Sequence, residues 1–142
     1  MTWDPSQYLK FADHRLRPAV DLLNRIDLDS PSVVYDLGAG TGNVTELLAN
    51  RWPKSRIMGV DTSEEMLRAA AERASNIEWQ VSDIGSWSPR EPAELIFTNA
   101  ALHWIPDHQE LLSRLLSSVT PTGVFAIQMP RNFGARSHIS IS

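Results

Sequence analysis

The sequence has no cysteine, no excess of basic residues and no long apolar run. The absence of cysteine excludes disulfides, thiolate metal sites and a cysteine nucleophile, which is compatible with a reducing compartment. A net charge of −4 disfavours general nucleic-acid binding, which needs a basic face. No apolar stretch approaches the ~20 residues that cross a bilayer, and the N-terminus lacks the basic head and apolar core of a signal peptide. We therefore expect a soluble, cytoplasmic protein without nucleic-acid or membrane partners.

The remaining composition is typical of one globular domain. The chain has 142 residues, of which 42% are hydrophobic and 21% are charged, so it can bury one sizeable core. The four histidines show no ligand spacing with carboxylates, so we expect no metal site.

Short apolar runs alternate along the chain with segments of helical periodicity. This alternation predicts an α/β fold with a doubly wound, parallel, Rossmann-like sheet. The predicted strands are 33–37, 56–61, 77–81, 95–99 and 124–129, the last one preceded by a turn at 121–123. The predicted helices are 7–12, 13–26, 44–52, a helix after the N-cap Ser63, and 107–118.

Three glycines at alternate positions follow the first predicted strand. Gly38, Gly40 and Gly42 allow a sharp turn and a close approach to a ligand that a Cβ would push away. The helix after them presents its free N–H groups to that ligand. The sequence therefore predicts a nucleotide-like cofactor on this turn. The candidate binding residues of the turn are Asp36, Gly38, Ala39, Gly40, Gly42 and Asn43.

Polar residues also stand where the next predicted strands end. Asp61 ends the second strand, Asp83 follows the third and Asn99 ends the fourth. Ligands of open parallel sheets bind at the carboxyl ends of the strands, so these residues are further candidates. A carboxylate at Asp61 can accept hydrogen bonds from both hydroxyls of a ribose.

Two interpretations compete for the glycine turn. A nicotinamide site favours G-x-G-x-x-G, but the third glycine comes one residue early here and Asn43 fills the expected position. The order Asp36-x-Gly38-x-Gly40-x-Gly42 instead resembles the first motif of S-adenosylmethionine-dependent methyltransferases with a Rossmann-like fold. A nicotinamide-dependent oxidoreductase stays as the less favoured alternative.

The resemblance implies roles for several residues. It implies that Asp83 accepts a hydrogen bond from the adenine amino group and that Ile84 packs on the ring. It also implies a backbone carbonyl near Asn99 that faces the methionine amine. The methionyl end of the cofactor is cationic, so a nearby carboxylate such as Asp36 would attract it. Thr62 and Met66, close to Asp61 in the chain, complete the cofactor candidates.

A closer resemblance extends over nearly the whole chain. The segments that carry it are Trp3-Asp4-Pro5, Tyr8-Leu9-x-Phe11, Arg17-Pro18-Ala19, Asn99-Ala100-x-Leu102-His103-Trp104-x-Pro106-Asp107-His108 and Gln128-Met129-Pro130-x-Asn132. They resemble the trans-aconitate 2-methyltransferase family, which moves a methyl group from S-adenosylmethionine to a carboxylate oxygen of trans-aconitate. The resemblance implies a small anionic carboxylic acid as the substrate.

This reaction requires the protein to position the two reactants and does not require a general base. A carboxylate is already ionised near pH 7, so alignment and exclusion of water remain to be supplied. Cationic side chains should hold the acceptor, and the candidates are His14, Arg15, Arg17 and Arg131. His103 and Trp104 are candidates next to the transferring methyl. Residues 1–13 form a predicted aromatic lid, with Tyr8 and Phe11 as substrate candidates.

The predicted strands are fewer than the resembled class has. That class has seven strands, of which the last two form an antiparallel hairpin, whereas we count five. Residues 131–142 form a predicted loose tail, so the fifth strand would be an exposed edge. We therefore expect one incomplete domain over 1–142, either monomeric or completed by a missing C-terminal region or a partner chain. A cofactor-binding fragment without turnover is accordingly a further alternative.

Overall fold

The described residues of the protein form one six-stranded sheet. The computed structural model describes residues 16–74, 76–99, 108–128 and 138–141. The strands are β1 (Val33–Leu37), β2 (Arg56–Asp61), β3 (Glu78–Val81), β4 (Ala93–Asn99), β5 (Val119–Gln128) and β6 (His138–Ile141). They lie in the order β3-β2-β1-β4-β5-β6. β1 to β5 are parallel, and β6 is antiparallel to β5. The predicted doubly wound parallel sheet is confirmed.

The central strands are apolar on both faces because helices cover both. In β1, Val34 belongs to one core cluster, whereas Val33, Tyr35 and Leu37 belong to the other. Such near-continuous apolar strands are typical of parallel sheets. The first cluster joins β1, β4 and β5 to α1 (Arg17–Asn24) and α2 (Asn43–Arg51). The second joins the same strands to α4 (His108–Ser117) and to the 3₁₀ turn Ile84–Ser86. Between β2 and β3, α3 (Glu64–Arg73) packs on both strands.

The helix boundaries follow local chemistry. The Ser63 hydroxyl accepts a 3.2 Å hydrogen bond from the Met66 N–H, which confirms the predicted N-cap of α3. α1 runs from Arg17 to Asn24, so it ends two residues before the predicted Ile26, whereas the predicted start at Asp13 lies outside the described residues. Pro18 lies in the first turn of this helix, where proline is tolerated.

The end of the sheet requires two corrections. The predicted turn at 121–123 lies inside β5, which begins at Val119 and carries an irregularity between the pairs Ala93–Val119 and Leu95–Val124. The predicted loose tail is wrong for 138–141, because these residues form β6 on the outer side of β5. β5 is therefore not the exposed edge that we expected, since β6 uses its outward backbone groups.

Some predictions fall outside the described residues. These are the helix at 7–12, the aromatic lid at 1–13 and Met129 at the end of the fifth predicted strand. In the part of the chain that the structure describes, no helix is long and apolar enough to cross a membrane.

Candidate functional site

The glycine turn joins β1 to α2 at the carboxyl edge of the sheet. Gly38, Gly40 and Gly42 have φ values of 81°, 58° and 87°, all in the left-handed region. The N–H groups of Gly38 and Ala39 donate to the Val60 carbonyl at 2.8 and 3.0 Å, so the turn is fastened to the end of β2. Gly42 is the N-cap of α2 and has no side chain to satisfy the first N–H groups of that helix. The first N–H groups of α2 are therefore left without an intrahelical partner at the open side of the turn.

Asp61 is docked directly onto this turn. Its Oδ2 accepts a hydrogen bond of 2.8 Å from the Gly40 N–H, and its Oδ1 accepts one of 3.0 Å from the Ser63 N–H. A carboxylate oxygen has two lone pairs, so each oxygen can accept a further hydrogen bond. Asp61 thus presents a fixed, partly exposed anionic acceptor beside the turn, as the sequence predicts.

Met66 borders the same place from α3. Its side chain is 47% exposed, and its Sδ would lie 3.9 Å from a Cβ placed on Gly40. The turn, Asp61 and Met66 thus form a cradle. The absence of a side chain at Gly40 leaves this cradle open. Thr62 is exposed and follows Asp61 in the chain.

The ends of the neighbouring strands continue the cradle along the edge. The Ser82 N–H donates to the Asp61 carbonyl at 2.9 Å, which places the segment after β3 beside Asp61. Asp83 is exposed, and its Oδ1 accepts a hydrogen bond of 3.0 Å from the Gly85 N–H. Ile84 is only 6% exposed, because its side chain packs in the second core cluster. Asn99 ends β4 on the other side of β1.

Asp36 differs from the other acids because it is buried. Its side chain accepts a 2.6 Å hydrogen bond from the Thr45 hydroxyl. Burial raises the pKa of Asp36 from 3.8 to about 7, the Thr45 hydrogen bond lowers it, and the nearby charge of Asp61 raises it. The group is therefore poised to ionise near neutral pH, and a cation beside it would favour its charged form.

Sequence reasoning missed three residues that hold this site. Thr45 was missed, although a hydroxyl in the first turn of α2 is a signal for contact with the end of β1. Trp79 lies against the turn, since a Cβ on Gly42 would meet its Cη2 at 2.7 Å and one on Gly59 would meet its Cε3 at 2.6 Å. Arg73 donates to the Thr41 carbonyl at 2.8 Å. Only the register of β2 and β3 and the position of α3 reveal these last two contacts.

The substrate candidates are mostly outside the description. Arg17 is exposed at the start of α1, and its side chain makes no hydrogen bond or ion pair with another described residue. Tyr8, Phe11, His14, Arg15, His103, Trp104 and Arg131 lie outside the described residues. Within the described ranges, no group of three or more His, Asp or Glu side chains is placed to hold a metal ion.

Comparison with known proteins decides the family. The sequence profile described as "Methyltransferase domain" matches residues 34–123, which run from β1 through the glycine turn and Asp61 to the beginning of β5. The chain belongs to the methyltransferase domain family. This assignment agrees with the resemblance of the glycine motif and disfavours the nicotinamide alternative.

Several curated relatives that match nearly all of this chain carry the same name. Trans-aconitate 2-methyltransferase of Azoarcus sp. (strain BH72) is 53% identical over 137 residues, which are 96% of this chain and 54% of that protein. The protein of the same name from Rhodopseudomonas palustris (strain BisB18) is 48% identical over the same shares of the two chains. The chain thus spans about half the length of the curated relatives it matches.

Solved methyltransferase structures share the fold. A SAM-dependent methyltransferase from Aquifex aeolicus superposes with a TM-score of 0.68 at 25% identity, covering 89% of this chain and 72% of that one. Coclaurine N-methyltransferase bound to N-methylheliamine and SAH superposes with a TM-score of 0.71 at 18% identity, covering 82% of this chain and 36% of that one. The predicted class I methyltransferase type of the sheet is confirmed, whereas the predicted count of five strands is wrong, because β6 adds a sixth.

Proposed function

We propose that this chain binds S-adenosylmethionine at the carboxyl edge of β1 to β4 and carries the donor half of a carboxylate methyltransferase. The acceptor is a small polycarboxylic acid such as trans-aconitate. The observation that carries the cofactor is the Asp61 carboxylate, held by the Gly40 N–H beside a turn of left-handed glycines. The acceptor is supported by the name of the relatives at 53% and 48% identity.

The residues present fit this cofactor. Asp61 keeps one backbone donor on each oxygen and has lone pairs left for the two ribose hydroxyls. Glycine at position 40 leaves room where a Cβ would point toward the Met66 sulfur. The exposed thioether of Met66 offers an adaptable apolar surface for a flat adenine ring, and the exposed Asp83 offers an acceptor for its amino group.

The methionyl end would lie over the glycine turn toward Asn99. Its ammonium group is attracted by the carboxylates of Asp36 and Asp61, and the free N–H groups at the start of α2 favour its carboxylate. An ammonium group near Asp36 would also lower the pKa of that buried acid from about 7.

The reaction needs little acid or base from the protein. When bound, S-adenosylmethionine supplies a methyl group that is already activated by its sulfonium. The acceptor carboxylate is ionised near pH 7, so the chain has to hold the two reactants in line and exclude water. We propose that four cationic side chains bind the anionic acceptor, namely His14, Arg15, Arg17 and Arg131. His103 and Trp104 would lie next to the transferring methyl group. Tyr8 and Phe11 would form an apolar cover over the substrate.

A second candidate function is cofactor binding without turnover. It is favoured by one observation, namely that the chain spans about half the length of its curated relatives. In either case we place the protein in the cytoplasm, where both the donor and small polycarboxylic acids are available. A continuation of the chain or a partner would then supply the rest of the acceptor site.

Calorimetry and a transfer assay test these proposals on the 142-residue chain. We expect S-adenosylmethionine and S-adenosylhomocysteine to bind and NAD not to bind. Binding of NAD alone would overturn the cofactor proposal. In the second assay, the radiolabelled methyl group of S-adenosylmethionine is followed into trans-aconitate, with citrate and a monocarboxylic acid as comparison acceptors. Labelled trans-aconitate monoester supports the transferase, whereas binding without any labelled ester supports the cofactor-binding candidate.

A further inference from the structure

The glycine turn needs an external support. Glycine loses more conformational freedom on folding than any other residue, and this turn contains three of them within five positions. The open side of the turn and the first N–H groups of α2 can be preorganised for a ligand only if the turn is held in one conformation. Asp61 and Val60 hold its inner side through the N–H groups of Gly38, Ala39 and Gly40.

Arg73 holds the outer side of the turn. This residue is in the last turn of α3, far along the chain from Gly40. Its Nη2 donates to the Thr41 carbonyl at 2.8 Å, between Gly40 and Gly42. The same nitrogen lies 3.2 Å from Asn43 Oδ1 and 3.2 Å from Glu46 Oε2, both in the first turn of α2. One guanidinium group therefore links the apex of the turn to the helix that follows it.

The geometry points to Arg73 as a positioning residue for the cofactor: its bridge from the Thr41 carbonyl to Asn43 and Glu46 keeps the glycine turn in its binding conformation. This inference rests on the proposed function, because the conformation matters only if the turn binds the cofactor. Arg73 is not assigned any contact with the donor or with the acceptor. All three contacts are made by one nitrogen of a guanidinium group that is always charged.

The chain offers a matched control on the same helix. Arg68 is also exposed and also pairs with a glutamate, Glu64, at 2.7 Å, but this pair lies within α3 and does not touch the turn. Arg73→Ala and Arg68→Ala therefore each remove one exposed ion pair between an arginine of α3 and a glutamate. Only Arg73→Ala also removes a contact with the turn. Arg73→Lys tests whether a charge alone is sufficient.

Two measurements on the 142-residue chain test the inference. The first is hydrogen exchange of the Gly40 and Gly42 amides in the unliganded protein, followed by NMR. We expect roughly three- to tenfold faster exchange in Arg73→Ala than in Arg68→Ala, because local opening of the turn becomes easier. The second is the affinity for S-adenosylhomocysteine, which we expect to fall about three- to tenfold in Arg73→Ala. Arg73→Lys should give intermediate values, and the midpoints of urea unfolding should match between the two alanine variants.

The outcomes separate this inference from the proposed function. Equal amide exchange and equal affinity in Arg73→Ala and Arg68→Ala overturn the inference while the wild-type chain still binds S-adenosylhomocysteine. A loss of affinity that only parallels a lower unfolding midpoint, without local change in exchange, makes Arg73 a structural residue and also overturns it. If the wild-type chain does not bind S-adenosylhomocysteine, the proposed function fails. The exchange rates would then still report whether Arg73 holds the turn.

Discussion

The Thr45 hydroxyl donates a 2.6 Å hydrogen bond to Oδ2 of Asp36, and both residues are buried, with exposed fractions of 0% and 2%. β1 supplies the acid and the first turn of α2 supplies the hydroxyl, so the bond spans the glycine turn. A buried carboxyl group without such a donor would carry a larger desolvation penalty in its ionised form. This pair therefore couples the stability of the fold to the charge state at the candidate site.

Thr45→Val should destabilise the protein more at pH 8 than at pH 5. Valine keeps the shape but removes the donor, so the ionised Asp36 loses a charge-assisted hydrogen bond that is worth about 1–3 kcal/mol. Loss of that donor also raises the pKa of Asp36 from about 7, because the Thr45 bond lowers it. Urea unfolding at the two pH values measures the effect, and Thr45→Ser, which keeps a hydroxyl, is the control. Equal destabilisation at both pH values would contradict this assignment.

Asp36 should make the unliganded protein less stable as the pH rises. The folded pKa of about 7 lies above the ordinary value of 3.8, so the folded state binds this proton more tightly. The stabilisation is fully present below about pH 4 and is lost as the pH rises through about 7, with an upper limit of about 4 kcal/mol. The unfolding free energy of wild type and of Asp36→Asn should be measured from pH 4 to pH 8. The difference between the two slopes isolates Asp36, and parallel slopes would show that it does not titrate in this range.

Asp61→Asn should weaken binding of S-adenosylhomocysteine by about 1–3 kcal/mol, because the amide replaces one anionic acceptor by a donor. Calorimetry gives the binding constant directly. Glu65→Gln is the matched control, since Glu65 is an exposed acid in the first turn of α3 and is not assigned to the site. Unchanged affinity in Asp61→Asn would remove Asp61 from the cofactor site.

Gly59→Ala should destabilise the protein by about 1–3 kcal/mol through overpacking. The new Cβ would lie 2.6 Å from Cε3 and Cζ3 of Trp79 and 3.1 Å from the Ala39 Cβ. In a Trp79→Leu background most of this cost should disappear, because the ring that causes it is gone. A double-mutant cycle of unfolding free energies measures this coupling, and additive effects would refute the contact.

Gly42→Ala provides the contrasting case. Its Cβ would meet Trp79 Cη2 at 2.7 Å and the Ala70 Cβ at 3.0 Å, but its φ of +87° is also unfavourable for alanine. We expect about 1–2 kcal/mol of destabilisation to remain even in the Trp79→Leu background, because backbone strain does not depend on the neighbour. Full rescue by Trp79→Leu would mean that the turn can relax its backbone. The unfolding free energies of Gly42→Ala with and without Trp79→Leu distinguish residual backbone strain from full rescue.

Local chemistry made much of the fold predictable. The alternation of apolar strands with amphipathic helices indicated the doubly wound sheet, and the Ser63 cap was correct because an N-cap is made within one turn. The errors arose where pairing partners are distant in the chain. Pro121 and Gly123 suggest a turn by composition, yet this segment is part of β5, which pairs with β4 in an irregular register. The segment 138–141 becomes a strand because β5 offers it unpaired backbone groups.

The sequence by itself determined the type of site: a glycine turn after an apolar strand, an acid two residues before it and Asp61 at the end of the next strand. These features depend on short-range backbone geometry and on strand order, which residue patterns encode directly. The tertiary structure alone decided how the site is supported, through Thr45 on Asp36, Trp79 against Gly42, and Arg73 on the Thr41 carbonyl. Packing and charge-assisted hydrogen bonds between distant residues depend on register and helix placement. A one-dimensional pattern does not contain these distances.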